Sequence, residues 1–380
     1  MKLKKNNNNF LYLIAIFYSV ILVLKGFLNP IVYDEAYTFL NYVLTKDFFN
    51  AGLANNHYLN TILIAVTTIF SKTELFVRLP NIFFGIVYVF SCCYLVKDLK
   101  YKYTSIFLLI SSPRLFEYFS LGRGYGIAAS LILLGMIIYF KTDLKYKYFI
   151  ASLLLLLASL SISIYLIVFI VFQIIQLREE LKNKKNIIFL IVLQPIVLII
   201  AYLTFLISES GKPLYGYEYI GFDFLIFDLS GMLESFYFYN VYYQSIFFLI
   251  FSYLIFKNIK TNKKLFFKNE NLIFIFSIIS LIVLPVIFSK PFPGGRVLIP
   301  ILPLLFIFIS NLLEAIDIKK KWRFLLIVFF ILNFILSLKF YSTIDFGYGY
   351  KCSKEYIVEY YQLVENKLYN DKCNLNLNNN

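Results

Sequence analysis

The sequence predicts an all-α fold: a polytopic transmembrane bundle of about eleven helices, with short juxtamembrane helices on its outer face. Three observations predict it. The 380 residues are 60% hydrophobic and only 15% charged, with a mean hydropathy of +0.74, too little polar surface to cover a water-soluble globule. Apolar stretches recur along the whole length, many reaching the roughly 17–25 residues that cross a hydrocarbon core of about 30 Å. The basic residues gather in short loops between these stretches, and one orientation puts those groups on the cytoplasmic side.

The first stretch, 10–28, follows Lys2, Lys4 and Lys5 and precedes no small-residue cleavage site, so it reads as a retained first helix. With the N-terminus cytoplasmic, further crossings fall near 76–97, 103–115, 124–140, 148–161, 163–177, 187–207, 245–257, 271–289, 297–314 and 323–341. The basic groups at 97–102, 141–147, 178–185, 257–268 and 319–323 then all face the cytoplasm, and with the N-terminal lysines they hold most of the 36 Lys and Arg. The net charge of +14 is therefore topological and calls for no nucleic-acid partner. The apolar segment from His57 to Phe70 is only fourteen residues long and is placed as a juxtamembrane or half-inserted helix on the outer face. A full crossing there would invert every later side.

A transmembrane module thus covers 1–341, its outer face collecting the loops 29–75, 111–123, 208–244 and 290–296, while 342–380 form a short outer tail. The Asn runs at 6–9 and 378–380 are low-complexity ends. Cys92 and Cys93 fall inside a predicted helix and read as packing; Cys352 and Cys373, in the outer tail, can close a disulfide if the outer compartment is oxidising. With one His in the chain and no Cys/His cluster, no metal site is expected.

Asp34 and Glu35 stand directly after the first helix, in Asn29-Pro30-Ile31-Val32-Tyr33-Asp34-Glu35-Ala36-Tyr37-Thr38. An ionisable group costs roughly 2.5–3.5 kcal/mol at the bilayer centre, so acids kept beside lipid serve a function or line a wet cavity. A plainer reading makes them N-terminal acids capping the segment Ala36 to Leu44. The same predicted face carries Asn56-His57-Tyr58-Leu59, Glu74-Leu75-Phe76-Val77-Arg78-Leu79-Pro80, and Pro113-Arg114-Leu115-Phe116-Glu117-Tyr118 running into Leu121-Gly122-Arg123-Gly124-Tyr125. Near the other end of the chain, Pro293-Gly294-Gly295-Arg296-Val297-Leu298-Ile299-Pro300 opens a late helix.

Taken in order, these segments resemble the GT-C glycosyltransferases of the protein O-mannosyltransferase and aminoarabinose (lipid A) transferase type. The resemblance covers roughly residues 10–140, together with the Arg296 segment, which is similar to the Arg-Tyr-Leu-x-Pro that often begins a late helix in those enzymes. Two departures stand out. Asn56-His57-Tyr58-Leu59 lacks the prolines that commonly follow that His, and Tyr125 stands where many relatives carry an acid, so a second catalytic carboxylate has no counterpart there.

The resemblance implies a multi-pass membrane enzyme with its active site on the outer or periplasmic face, and the size of the chain with no long soluble insertion in it points to a bacterial cytoplasmic membrane. Such an enzyme moves a sugar from a polyprenyl-phosphate donor to a lipid, glycan or protein acceptor, with inversion at the anomeric carbon. On that basis Asp34 is the base and Glu35 its neighbour or substitute, while Arg123 and Arg296, then Arg78, hold the leaving phosphate. His57, Glu117 and Tyr125 complete the substrate-binding set. No cofactor is implied; a divalent metal is allowed but not predicted. Membrane lipids are the remaining partners.

Plainer readings stand beside these roles. Arg78 reads as an i,i+4 partner of Glu74, Arg296 as a snorkelling helix-end cation, and His57 as a structural polar group at a helix start. The aromatics of 208–244 read first as an interfacial belt and second as a lid over substrate. The rival function is a transporter or lipid flippase for a glycolipid. Transporters usually set ionisable residues near mid-membrane on broken helices in two related halves, whereas the strong charges here sit at predicted outer helix ends.

Overall fold

With no water in a hydrocarbon core to hydrate peptide groups, an apolar chain closes its backbone hydrogen bonds within helices, and helices are what this chain forms. The computed structural model describes residues 8–49, 56–180, 184–209, 241–287, 295–340 and 355–364, and among them no strand occurs. In chain order the elements are α1 (Asn9–Leu28), α2 (Tyr33–Thr38) running into a π turn (Phe39–Leu44), α3 (Tyr58–Thr67), α4 (Glu74–Val96), α5 (Lys102–Ile110) and α6 (Pro113–Ser120). There follow α7 (Gly124–Lys141), α8 (Lys147–Ser161), α9 (Leu166–Glu180), α10 (Lys184–Glu209), α11 (Val241–Thr261) and α12 (Asn269–Ile287). A 3-10 turn (Gly295–Ile301) leads into α13 (Leu302–Glu314), and α14 (Lys320–Phe340) and α15 (Glu355–Val364) close the series.

Among the described residues, four helical stretches are long and apolar enough to cross a membrane: α1, α4, α7 and Val297–Glu314. The Val297–Glu314 and α7 stretches are the most enclosed, whereas α1 turns most of its apolar surface outward, as a helix facing lipid does. Helix α3 is ten residues long, about 15 Å of rise. That is half a hydrocarbon core, and it is the short helix expected within 57–70.

Helices α1 and α4 lie antiparallel. The Cys93 thiol donates to the Leu11 carbonyl at one end (3.3 Å), and Arg78 reaches the Gly26 carbonyl at the other (3.1 Å). Gly85 makes the close approach possible: a Cβ there would lie 2.5 Å from Leu22 Cδ2 and 2.8 Å from Phe119 Cβ. Helix α7 packs on α4 and α8, and the Ser130 hydroxyl donates to the Phe84 carbonyl (2.7 Å) across the first of these seams.

One expected crossing has a different form. The sequence suggests a single helix over 103–115, but the chain breaks at Ser111–Ser112 into α5, of nine residues, and α6, of eight. Pro113 sets the break by starting α6 at its first position, and the Ser112 hydroxyl caps it by accepting from the Leu115 N–H (3.2 Å). The Ser111 carbonyl released by the break accepts from the Asn333 amide (2.9 Å), which satisfies it in place of a helical partner. In series the two helices carry the chain from Tyr101, whose N–H is capped by Glu314 (2.7 Å), to Gly122 at the opposite end of the bundle, whose N–H is held by Glu35 (2.5 Å).

Gly85→Val should destabilise the protein by about 1–3 kcal/mol, because Phe119 Cβ cannot swing away. Gly135→Ala, where a Cβ meets nothing nearer than 3.4 Å, should be neutral or slightly stabilising. Thermal unfolding of the two variants in detergent checks the pair.

Candidate active site around Asp34 and Arg123

Asn29 and Pro30 end α1 and leave its last carbonyls without helical partners. Arg78, one turn into α4, takes them up: its Nη1 donates to the Gly26 (3.1 Å) and Asn29 (2.7 Å) carbonyls, and Nη2 to the Pro30 carbonyl (2.7 Å). The remaining guanidinium hydrogens go to Glu35, Nε to Oε1 at 2.8 Å and Nη2 to Oε2 at 2.5 Å. Glu35 also accepts from the N–H of Val32 (2.9 Å), which fixes the start of α2, and from the N–H of Gly122 (2.5 Å). Both side chains are fully buried.

The sequence suggested Glu74 as the partner of Arg78, one helical turn away. The ion pair is made with Glu35 instead, because Glu35 reaches both edges of the guanidinium fork while Glu74 bonds Tyr361. The Tyr361 hydroxyl also accepts from the Ile31 N–H (2.9 Å). Burial, then the Glu74 carboxylate, push the Tyr361 phenol above its ordinary range, so it remains a neutral donor. Neighbouring Tyr360 donates to the Lys72 carbonyl (2.6 Å) and stacks edge-on with Phe39 of the π turn. Helix α15, inside the segment 342–380 expected only as a tail, is thus one wall of the site.

Against this saturated frame, Asp34 is set apart. It precedes Glu35 on α2, its side chain keeps 15% exposure, and its Oδ2 stands 3.4 Å from Nη2 of Arg123, a longer contact than the roughly 2.7–2.9 Å of a tight charged hydrogen bond. Arg123 is the extended residue that caps α7, with its guanidinium carbon 5.9 Å from the Tyr125 ring centre. His57 meets the same ring edge-on at 4.8 Å, and its Nδ1 lies 3.1 Å from the Ser161 carbonyl. That carbonyl only accepts, so Nδ1 donates to it.

No protein family, curated protein or solved structure matches this chain. Geometry alone therefore sorts the candidate residues. Asp34, Glu35, His57, Arg78, Arg123 and Tyr125, scattered over 34–125, form one continuous group. Glu117 pairs with Arg114 at 3.6 Å, and the next residue, Tyr118, packs on Tyr125 at 4.8 Å. The side chain of Arg296 lies outside the described residues, although its 3-10 turn is anchored by the Tyr165 hydroxyl on the Val297 carbonyl (2.5 Å). Residues 210–240 of the aromatic loop, Cys352 and Cys373 also lie outside them.

Three supports had not been singled out from the sequence. Asn60 donates to the Gly122 carbonyl (3.0 Å) and accepts from Asn81 (2.6 Å), a buried amide relay that holds the turn before Arg123. Ser161 accepts from His57 through its carbonyl and donates through its hydroxyl to the Gly124 carbonyl (2.9 Å). Tyr361 is the third. Asn81 carries a readable signal, since an amide directly after Pro80 in an otherwise apolar helix demands a partner.

Arg78→Met, which strands the buried Glu35 carboxylate, should cost about 3–5 kcal/mol. Tyr361→Phe, which leaves the Ile31 N–H and Glu74 without that hydroxyl, should cost about 1–3 kcal/mol. Unfolding midpoints in one detergent, with Asp34→Asn as the reference that barely moves, check the ranking.

Proposed function

We propose that this chain is a membrane glycosyltransferase of GT-C type, taking its sugar from a polyprenyl-phosphate donor. The reading is carried by the division of the acid pair: Glu35 is fully buried with its acceptors occupied by Arg78, Val32 and Gly122, while Asp34 keeps 15% exposure and stands 3.4 Å from Arg123. One carboxylate builds the frame, and the other stands at the partly exposed side of the group beside an arginine.

In this reaction the acceptor hydroxyl attacks the anomeric carbon from the face opposite the phosphate. Its proton passes to Asp34 as the new C–O bond forms, the bond from the anomeric carbon to the phosphate oxygen breaks, and the bonding pair leaves with the phosphate. A positioned carboxylate base contributes about 10²–10⁴ in rate. The departing phosphate needs positive charge where its own negative charge grows, which Arg123 supplies when substrate draws it from Asp34. Tyr125 and His57 limit the paths open to that guanidinium. Glu35 and Arg78 serve as positioning residues, since their hydrogen-bonding groups face each other and the backbone.

A transporter or glycolipid flippase is the second reading, and the break between α5 and α6 favours it, because broken helices often line transport sites. Here, however, Asn333 occupies the carbonyl that such a site would offer.

Membranes containing the protein should transfer radiolabelled sugar from a polyprenyl-phosphate donor, and Asp34→Asn should lower that transfer by about 100-fold or more with little change in unfolding midpoint. Full activity in Asp34→Asn would remove Asp34 as the base. Failure with every donor, together with movement of labelled glycolipid between leaflets, would replace the enzyme by the transporter.

A further inference from the structure

The end of the bundle opposite the acid pair carries a feature unrelated to sugar transfer. Between α11 and α14 lies a cavity of about 580 Å3, within the roughly 300–1,000 Å3 typical of ligand sites. Leu326 and the outward faces of Tyr253 and Trp322, 58% and 61% exposed, make it an apolar groove open to the surroundings of the bundle. Lys257 and Lys319 stand on its wall, and the Lys257 ammonium lies 5.8 Å from the Tyr253 ring centre. The cavity also touches Asp317, but that carboxylate is engaged by the Lys100 ammonium at 2.9 Å and the Tyr101 hydroxyl at 3.3 Å. The charge left facing the groove is positive.

We propose that this groove binds an anionic glycerophospholipid, with its acyl chains along α11 and α14 and its phosphate between Lys257 and Lys319. An open apolar groove on a membrane-crossing bundle fills with acyl chain whatever the headgroup, so selectivity has to come from the rim. Two ammonium groups favour a headgroup that keeps its net negative charge, and a zwitterionic lipid, whose own cation cancels its phosphate, gains less from them. Trp322 is an amphipathic ring of the type that settles at headgroup level, and it marks the depth of the site. The site does not depend on Asp34 or on any donor sugar.

The chain has a single Trp, which makes the test direct. The full-length protein is reconstituted in phosphatidylcholine bilayers containing graded amounts of brominated phosphatidylglycerol or brominated phosphatidylcholine, and quenching of Trp322 fluorescence is followed. Brominated phosphatidylglycerol should quench at a mole fraction about tenfold or more below that needed for brominated phosphatidylcholine. The double substitution Lys257→Gln and Lys319→Gln should erase the difference, at about fivefold per lysine. Equal quenching by the two lipids, or a preference that survives the double substitution, overturns the proposal. Relief of quenching by millimolar inorganic phosphate also overturns it, because the site would then recognise phosphate and not the lipid.

Discussion

A guanidinium and a carboxylate removed from water each lose several kcal/mol of hydration, and their mutual attraction offsets this only when every remaining donor and acceptor finds a partner. Arg78 and Glu35 meet that condition with contacts drawn from four separate stretches of chain: the end of α1, the start of α2, the body of α4, and the turn between α6 and α7. Neither residue can shift without stranding the other. Four segments that apolar packing alone would leave free to slide are thereby locked in one register. The pair gives little net stability over an apolar substitute, and what it provides is position.

Position matters because of what stands one residue away on each side of the lock. Successive helical residues point about 100° apart, so burying Glu35 turns Asp34 toward a different neighbour. Gly122 and Arg123 repeat the arrangement in the other chain segment: the Gly122 N–H is bound to Glu35, and the next side chain reaches Asp34. Two adjacent dipeptides therefore lie side by side, with an inner contact of 2.5 Å that holds and an outer one of 3.4 Å that can open. For the enzyme we propose, a rigid support beneath this acid and arginine would let substrate enter without reorganising the walls.

Much of this was legible in the sequence, for identifiable reasons. The helical character followed from the absence of any polar surface to spare, and helix ends such as Asn29-Pro30 were marked by residues that cannot continue a helix. Asp34, Glu35, Arg78 and Arg123 stood out because charge beside lipid is costly. Partner choice was not legible. Arg78 has Glu74 one turn away on its own helix, and only the fold brings the more distant Glu35 to both edges of its fork. The break at Ser111–Ser112 is not legible because the run 106–110 before it is continuously apolar, and hydropathy does not register the Ser-Ser-Pro that ends one helix and caps the next. Tyr361 lay beyond reach for another cause: its meaning depends on Ile31, 330 residues earlier in the chain.

The run Gly122-Arg123-Gly124-Tyr125-Gly126 shows how the site is confined as well as supported. A side chain at 122 would press on the Val77 carbonyl at 3.2 Å, and one at 124 would meet the Ser161 hydroxyl at 2.7 Å and His57 Cβ at 2.8 Å. Both glycines are therefore small for want of space, not for backbone freedom, and the backbone on either side of Arg123 lies flush against α4 on one flank and His57 on the other. Between them Arg123 is extended, with φ −128° and ψ 134°, so its side chain leaves the wall toward Asp34 and Tyr125. An arginine whose backbone is clamped on both sides, while its guanidinium makes a long contact to a partly exposed acid, can exchange one anion for another with only its side-chain torsions moving. In the enzyme we propose, a donor phosphate arriving beside Asp34 would require that exchange, and clamping the backbone would keep it from disturbing the buried ion pair on which the fold depends.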